Sequence, residues 1–259
     1  MYLISYGTRP ELIKLFPLIN IFKENNIDHK TIFTGQHEDL IKEFENLTHR
    51  PDFVLEKTMK HKQSINSLIY KIINESQKII NSYDCKVIIQ GDAASSFAVA
   101  LSAFNEGKEV IHVEAGLRTH NLRSPFPEEG FRKMISHISN IHFCPTIKSV
   151  ENLKNEGITE NVHLVGNTIV DSCAQIIDKG ESSDYLNELI SSNDDYYLCT
   201  LHRRENINNF QSMWEQLNQI SENKTIIYIK HPSVPNSEDF LGKNIIKLDP
   251  MTYQDLSLI

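Results

Sequence analysis

KVIIQGDAASSFAVALSAFNEGKEVIHVE, residues 86–114, decides the fold. KVIIQ (86–90) and EVIHV (109–113) are short β-branched runs, and SSFAVALSAFNEG between them has the apolar spacing of a helix. Strand, helix and strand in that order make a parallel pair with the helix packed on one face. The same alternation extends in both directions. YLISY (2–6), KTIFT (30–34), NIHFC (140–144) and VHLVG (162–166) read as further buried strands. ELIKLFPLINIFKEN, QSINSLIYKIINESQKII, PEEGFRKMISHI and TIKSVENLKNEG read as helices between them. The expected class is α/β, a parallel sheet with helices on both faces.

From 171 to 195 the pattern is helical and polar and ends in SSNDD, a candidate boundary. A second series follows: YYLCTL (196–201), a helix around NINNFQSMWEQLNQI, TIIYIK (225–230), NIIKL (244–248) and YQDLSLI. The expected domains are 1–170 and 171–259. The second holds three strands in roughly 65 residues, small for an independent core, and is expected to be an incomplete domain.

The composition narrows the function. Lys and Arg total 26 against 34 Asp and Glu, a net charge of -8, which argues against nucleic acid or an anionic membrane as partner. No apolar run is long enough to span a bilayer, and the N-terminal residues have no signal-peptide pattern, so a cytoplasmic location is expected. Cys85, Cys144, Cys173 and Cys199 are widely spaced beside apolar stretches and are expected to be buried free thiols.

In a doubly wound sheet ligands gather at the carboxyl edge, where strands run into helices, and the chemistry-bearing residues fall there. After YLISY comes GTRPELIK, in which Gly7 permits a tight turn, Pro10 suits a first helical position, and Arg9 and Lys14 are cations near a helix N-terminus. This is either an anion site or a capped helix with solvated charges. After KTIFT comes GQHEDL with His37; after KVIIQ comes GDAASS with Asp92, a functional acid or a helix cap. EVIHV runs into Glu114, opening AGLRTHNLRSPFPEE with Arg118, Arg123, Glu128 and Glu129.

Clustered carboxylates raise one another's pKa, so one can carry a proton while its neighbour stays ionised. The alternative is that each acid pairs with Arg118, Arg123 or Arg132, as Glu128 and Arg132 could at i,i+4. LHRREN places His202, Arg203 and Arg204 after a second-domain strand, and His231 occupies the corresponding loop one strand later. His202 is a proton carrier or a hydrogen-bonding anchor, and the arginines supply local cations for an anionic ligand. HVE followed by FCPT lacks the second cysteine of a zinc deaminase, so no metal site is expected. No dinucleotide fingerprint, P-loop or esterase elbow is present.

Taken together, GTRPE, GQH, GD, HVEAGLRT, SPFPEE with Arg132, GNTIVD and HRREN resemble the non-hydrolysing UDP-N-acetylglucosamine 2-epimerases. The resemblance implies a glycosyltransferase-B-like fold, two Rossmann-like doubly wound domains facing a cleft, usually in a homodimer. It implies interconversion of UDP-N-acetylglucosamine and UDP-N-acetylmannosamine without a cofactor, the first acting as substrate and as a candidate allosteric ligand. Asp92, Glu114, Glu128 and His202 are then the expected catalytic residues, with Arg9, Lys14, His37, Arg118, Arg132, Arg203 and His231 at the substrate. The GDAASS loop stands where the family has a GDTTT-type loop. Family members run on for about another hundred residues, through Ser-Gly-Gly and Arg-Pro-Glu segments that have no counterpart here. The alternatives are the hydrolysing relative, which an Ala-containing variant of GTRPE would favour, and a fragment that binds without turnover.

Overall fold

The computed structural model describes residues 1–35, 47–55, 63–179, 183–193, 195–201, 210–230 and 242–259. Two compact units emerge, Met1–Ser172 and Cys173–Ile259. Each is built on a parallel sheet, so the α/β class expected from the alternation holds in both.

The first unit contains β1 (Tyr2–Tyr6), β2 (His29–Phe33), β3 (Phe53–Val54), β4 (Lys86–Gln90), β5 (Val110–Val113), β6 (Ile141–Cys144) and β7 (Val162–Leu164). Its described helices are α1 (Arg9–Glu24), α2 (Ile65–Asn81), α3 (Ala94–Asn105), α4 (Glu128–Ile138) and α5 (Ile147–Asn155), with α6 (Ile169–Lys179) beginning at its end. The strands lie in the order β3-β2-β1-β4-β5-β6-β7, every pairing parallel. The chain therefore winds outward in both directions from β1 and β4, and the loops leaving those two neighbours diverge. That divergence opens the crevice in which open α/β sheets take ligands.

Central strands are buried on both faces, which is why β4 and β5 read as continuous apolar runs. Leu3, Val87, Ile89 and Val110 of the sheet pack with Leu68, Ile72 and Ile80 of α2, the alanines of α3 and Ile135 of α4. Phe97 and Phe131 stack with centroids 4.9 Å apart and tie α3 to α4. The expectation of a buried VHLVG is corrected. β7 lies at the sheet's edge, and Leu164 and Val165 are more than half exposed, with no described element of this unit packed over them.

The second unit contains α7 (Asp184–Ser191), β8 (Tyr196–Thr200), α8 (Phe210–Ser221), β9 (Thr225–Ile229), β10 (Ile245–Leu248) and α9 (Tyr253–Leu258). Its strand order is β10-β9-β8. Phe210 and Trp214 of α8 cover one face against Ile226, Tyr228 and Ile245. On the other face Ile227, Ile229 and Leu248 pack with Leu189 of α7 and Leu256 of α9. Cys85 and Cys144 are buried free thiols as expected, but Cys173 and Cys199 are only partly covered. Among the described residues no helix is long and apolar enough to cross a membrane.

Candidate active site

The turn from β1 into α1 is closed by the Thr8-x-x-Glu11 capping box. Thr8 Oγ1 accepts from the Glu11 amide at 3.4 Å, and a Glu11 carboxylate oxygen accepts from the Thr8 amide at 2.6 Å. Glu11 is fully buried and reaches further, accepting from the Gly7 amide at 3.0 Å and from the hydroxyls of Ser95 and Ser96 at the start of α3. Burial pushes its carboxyl above the usual range, and those donors pull it back. The hydroxyls that GDAASS retains therefore fasten the β1 turn to the β4 turn. Gly7 has no alternative there, since a Cβ would lie 2.0 Å from Thr34 Oγ1.

Lys14, one turn into α1, points at Glu114. Its ammonium lies 2.7 Å from both carboxylate oxygens, which also accept from Gln90 Nε2 at 2.5 Å and Asn167 Nδ2 at 2.8 Å. Glu114 holds a left-handed backbone, φ 66°, immediately after β5. A long side chain in that region is uncommon, and such conformations concentrate where the surrounding structure over-determines them. Here the ends of α1, β4 and β7 each contribute a donor that fixes the carboxylate.

Asp92 follows Gly91, itself left-handed at φ 71°. Arg132 of α4 grips Asp92 through Nε at 2.8 Å and through Nη2 more closely. Burial raises the Asp92 carboxyl above the usual aspartate range, Arg132 opposes the rise, and the charges of Glu114 and Glu128 add to it. Asp92, Glu114 and Glu128 thus share one electrostatic neighbourhood, with Lys14 and Arg132 among them.

The adjacent acids at the start of α4 separate completely. Glu129 is buried, accepts from the Thr119 and His120 amides at 3.0 and 3.1 Å, and pairs with Arg132 at 3.3 Å. It clamps the Glu114–Pro127 loop onto the helix. Glu128 is half-buried, and no ion pair engages it among the described residues. The i,i+4 pairing of Glu128 with Arg132 is replaced by the i,i+3 pairing with Glu129, because the Arg132 guanidinium turns toward Asp92.

Arg118 is placed elsewhere than expected. Its side chain is fully enclosed and forms a bidentate pair with Glu156 at 2.9 and 2.7 Å, with further bonds to Ser136 Oγ and the Leu117 carbonyl. This pair holds the Glu156 carboxyl down to about 2. As placed, Arg118 braces the loop rather than facing the carboxylates. Arg9 opens α1 at the same sheet edge and is exposed. His37, His202, Arg203 and His231 lie outside the described residues.

Two contributors escape the sequence reading: Gln90 is a buried amide ending an apolar strand, and Asn167 lies in GNTIVD just past β7. A lone polar residue closing a β-branched run is the signal that could have found Gln90.

Residues 20–257 match the family model described as UDP-N-acetylglucosamine 2-epimerase. A Campylobacter jejuni protein named UDP-N-acetylglucosamine 2-epimerase is 34% identical over 276 residues, covering 98% of this chain and 72% of that protein. A Salmonella borreze protein of the same name is 38% identical over 79% of this chain and 57% of its own length. The chain spans 64% of the length of a Clostridium acetobutylicum relative that is 36% identical. Among solved structures, UDP-GlcNAc 2-epimerase from Neisseria meningitidis bound to UDP-GlcNAc matches at TM-score 0.86 and 30% identity, over 99% of this chain and 74% of that one. The Methanocaldococcus jannaschii enzyme in complex with UDP-GlcNAc and UDP matches at TM-score 0.81 and 34% identity, over 99% and 75%. The shared architecture is the glycosyltransferase-B-like fold that the motifs imply.

Proposed function

This chain belongs to the UDP-N-acetylglucosamine 2-epimerase family, and on that premise we propose that it interconverts UDP-N-acetylglucosamine and UDP-N-acetylmannosamine by eliminating and re-adding UDP. The C2 hydrogen of the sugar has no neighbouring carbonyl to acidify it. Its removal is therefore coupled to departure of UDP: the C2–H electrons form a C1–C2 double bond as the C1–O bond breaks. Re-addition of UDP at C1 with protonation of C2 from the other face gives the epimer. The chemistry needs proton-handling groups on two faces of the ring and cations for the departing diphosphate, and each well-placed acid or base contributes on the order of 10²–10⁴-fold.

The observation that carries the reading is the grouping of Asp92, Glu114 and Glu128 at the carboxyl edge beside the β1/β4 divergence. Asp92, raised by burial, suits the proton-donating role, and Glu128, without an ion pair among the described residues, suits the complementary one. Glu114, held in place by Lys14, Gln90 and Asn167, is the third carboxylate of the proposed proton-handling set. Arg9 at the α1 N-terminus is assigned to the diphosphate. His202, Arg203, His37 and His231 complete the proposed set, with a homodimer in the cytoplasm supplying N-acetylmannosamine for surface polysaccharide as the wider setting.

Incubation with UDP-N-acetylglucosamine in deuterated water tests the reading. Deuterium at C2 of a UDP-linked mannosamine is expected. Free N-acetylmannosamine with stoichiometric UDP would reassign the protein to the hydrolysing class, and folded protein giving neither product would overturn the proposal.

A further inference from the structure

We propose that His112 is a positioning residue for Asp92, holding the Gly91 carbonyl through its Nε2–H and so fixing the turn that carries the carboxyl. The inference rests on the proton-handling role given to Asp92 above.

His112 is fully buried in β5, its Nε2 lies 2.8 Å from the Gly91 carbonyl oxygen, and its Nδ1 is buried without a hydrogen-bond partner. A carbonyl oxygen only accepts, so the nitrogen facing it carries the proton. A neutral ring has one N–H, which leaves Nδ1 bare, as its unpartnered surroundings require. The charged and titratable groups acting on the ring are His142 in the adjacent strand, Arg118 and Arg132, and all disfavour an imidazolium. Burial acts in the same direction and more strongly, pushing the ring down to about 3, so the donor persists throughout the neutral range.

The Gly91 carbonyl takes its side-chain bond from His112, while its neighbours are held by other groups. Gly91 is left-handed and donates its N–H to the Val113 carbonyl at 3.0 Å, while the Gln90 carbonyl accepts from Ser96 Oγ at 2.5 Å. Ala93, the cap of α3, makes no side-chain hydrogen bond. Glycine allows the Gly91–Asp92 peptide to rotate at low cost once its carbonyl is released. The carboxyl would then swing relative to Arg132, Glu114 and Glu128, the groups that set its titration.

Two variants separate positioning from mere filling of space. His112→Phe keeps a ring without a donor, and His112→Gln places an amide N–H three bonds from Cβ, as the imidazole does. His112→Phe is expected to lower kcat on the order of 100-fold, with KM changed less than about 2-fold, and His112→Gln to restore most of it. The Asp92 titration, followed by carboxyl ¹³C NMR, is expected to move in the Phe variant and return in the Gln variant. A folded His112→Phe with wild-type kcat and Asp92 titration would overturn the proposal. If that variant does not fold, ¹⁵N NMR of the wild-type ring decides. An Nε2–H tautomer that does not titrate between pH 5 and 8 supports the proposal, and an Nδ1–H tautomer or a ring titrating near 6.5 refutes it. Should the wild type exchange no C2 hydrogen, the reaction reading fails, while the Asp92 titrations still judge His112.

Discussion

The Lys14 ammonium sits 2.7 Å from each carboxylate oxygen of Glu114, a contact made across 100 residues of sequence. It joins α1 to the end of β5 over the divergence between β1 and β4. Lys14 and Glu114 are both mostly covered, with side-chain exposures of 23% and 11%. In a double-mutant cycle with Lys14→Met and Glu114→Gln, urea unfolding is expected to report a coupling of about 1–3 kcal/mol. A coupling near zero would mean that Gln90 and Asn167 hold the carboxylate alone.

Glu128 and Glu129 are expected to respond in opposite ways. Glu128→Gln should leave stability within about 0.5 kcal/mol yet lower C2 exchange by about 10²–10⁴-fold. Glu129→Gln removes a charge that accepts from Thr119, His120 and Arg132, and should cost about 1–3 kcal/mol. Thermal unfolding beside exchange rates checks both, and equal stability losses would contradict the separation.

Glu156 titrates lower in the folded chain than its ordinary 4.5, at about 2. A depressed carboxyl contributes stability that is complete above its unfolded pKa and is lost as pH falls toward the folded one. The stability difference between wild type and Glu156→Gln should therefore be constant above pH 5 and shrink between pH 4.5 and 2. Urea midpoints across that range test it, and a gap independent of pH would show that Arg118 contributes packing alone.

The buried imidazoles act in a higher window. His112 and His142 are pushed down to about 3 and about 4 from the usual 6.5, chiefly by burial. Each stabilises the fold fully above pH 6.5 and progressively less below it, because the unfolded chain takes up the proton first. His142→Phe should flatten the stability loss between pH 6.5 and 4, and an unchanged slope there would count against a buried neutral His142.

Glycine substitutions should rank by what lies behind them. A Cβ on Gly107 meets nothing within 4 Å, so Gly107→Ala pays only for its left-handed backbone, about 1–2 kcal/mol. A Cβ on Gly116 would lie 2.3 Å from the Ser149 carbonyl oxygen, adding roughly 1–3 kcal/mol of overpacking. Equal thermal shifts for the two would overturn the ranking.

Much of the fold was legible because buried parallel strands write themselves as uninterrupted β-branched runs. β1, β4, β5, β9 and β10 lie within a residue of where those runs end. Phe53–Val54 was not legible, since two residues carry no periodicity. The site was legible wherever a charge lies within two residues of a strand's end, as Asp92 and Glu114 do. It was illegible where rotation about a helix axis decides. Glu128 and Glu129 are equal in sequence, yet a turn of about 100° per residue buries one fully and leaves the other half-buried. Arg118 shares a loop with catalytic candidates, and only the approach of Glu156, the residue capping α5, shows where its charge is spent.

The chain's single tryptophan, Trp214, packs edge-on against Tyr228 with ring centroids 4.9 Å apart, inside the Cys173–Ile259 unit. Indole emission is therefore a local gauge of that unit. The seven-stranded sheet with Asp92 and Glu114 carries no tryptophan of its own, so circular dichroism or amide exchange follows the first unit. Any offset between the optical and backbone transitions would measure how independently the two units come apart.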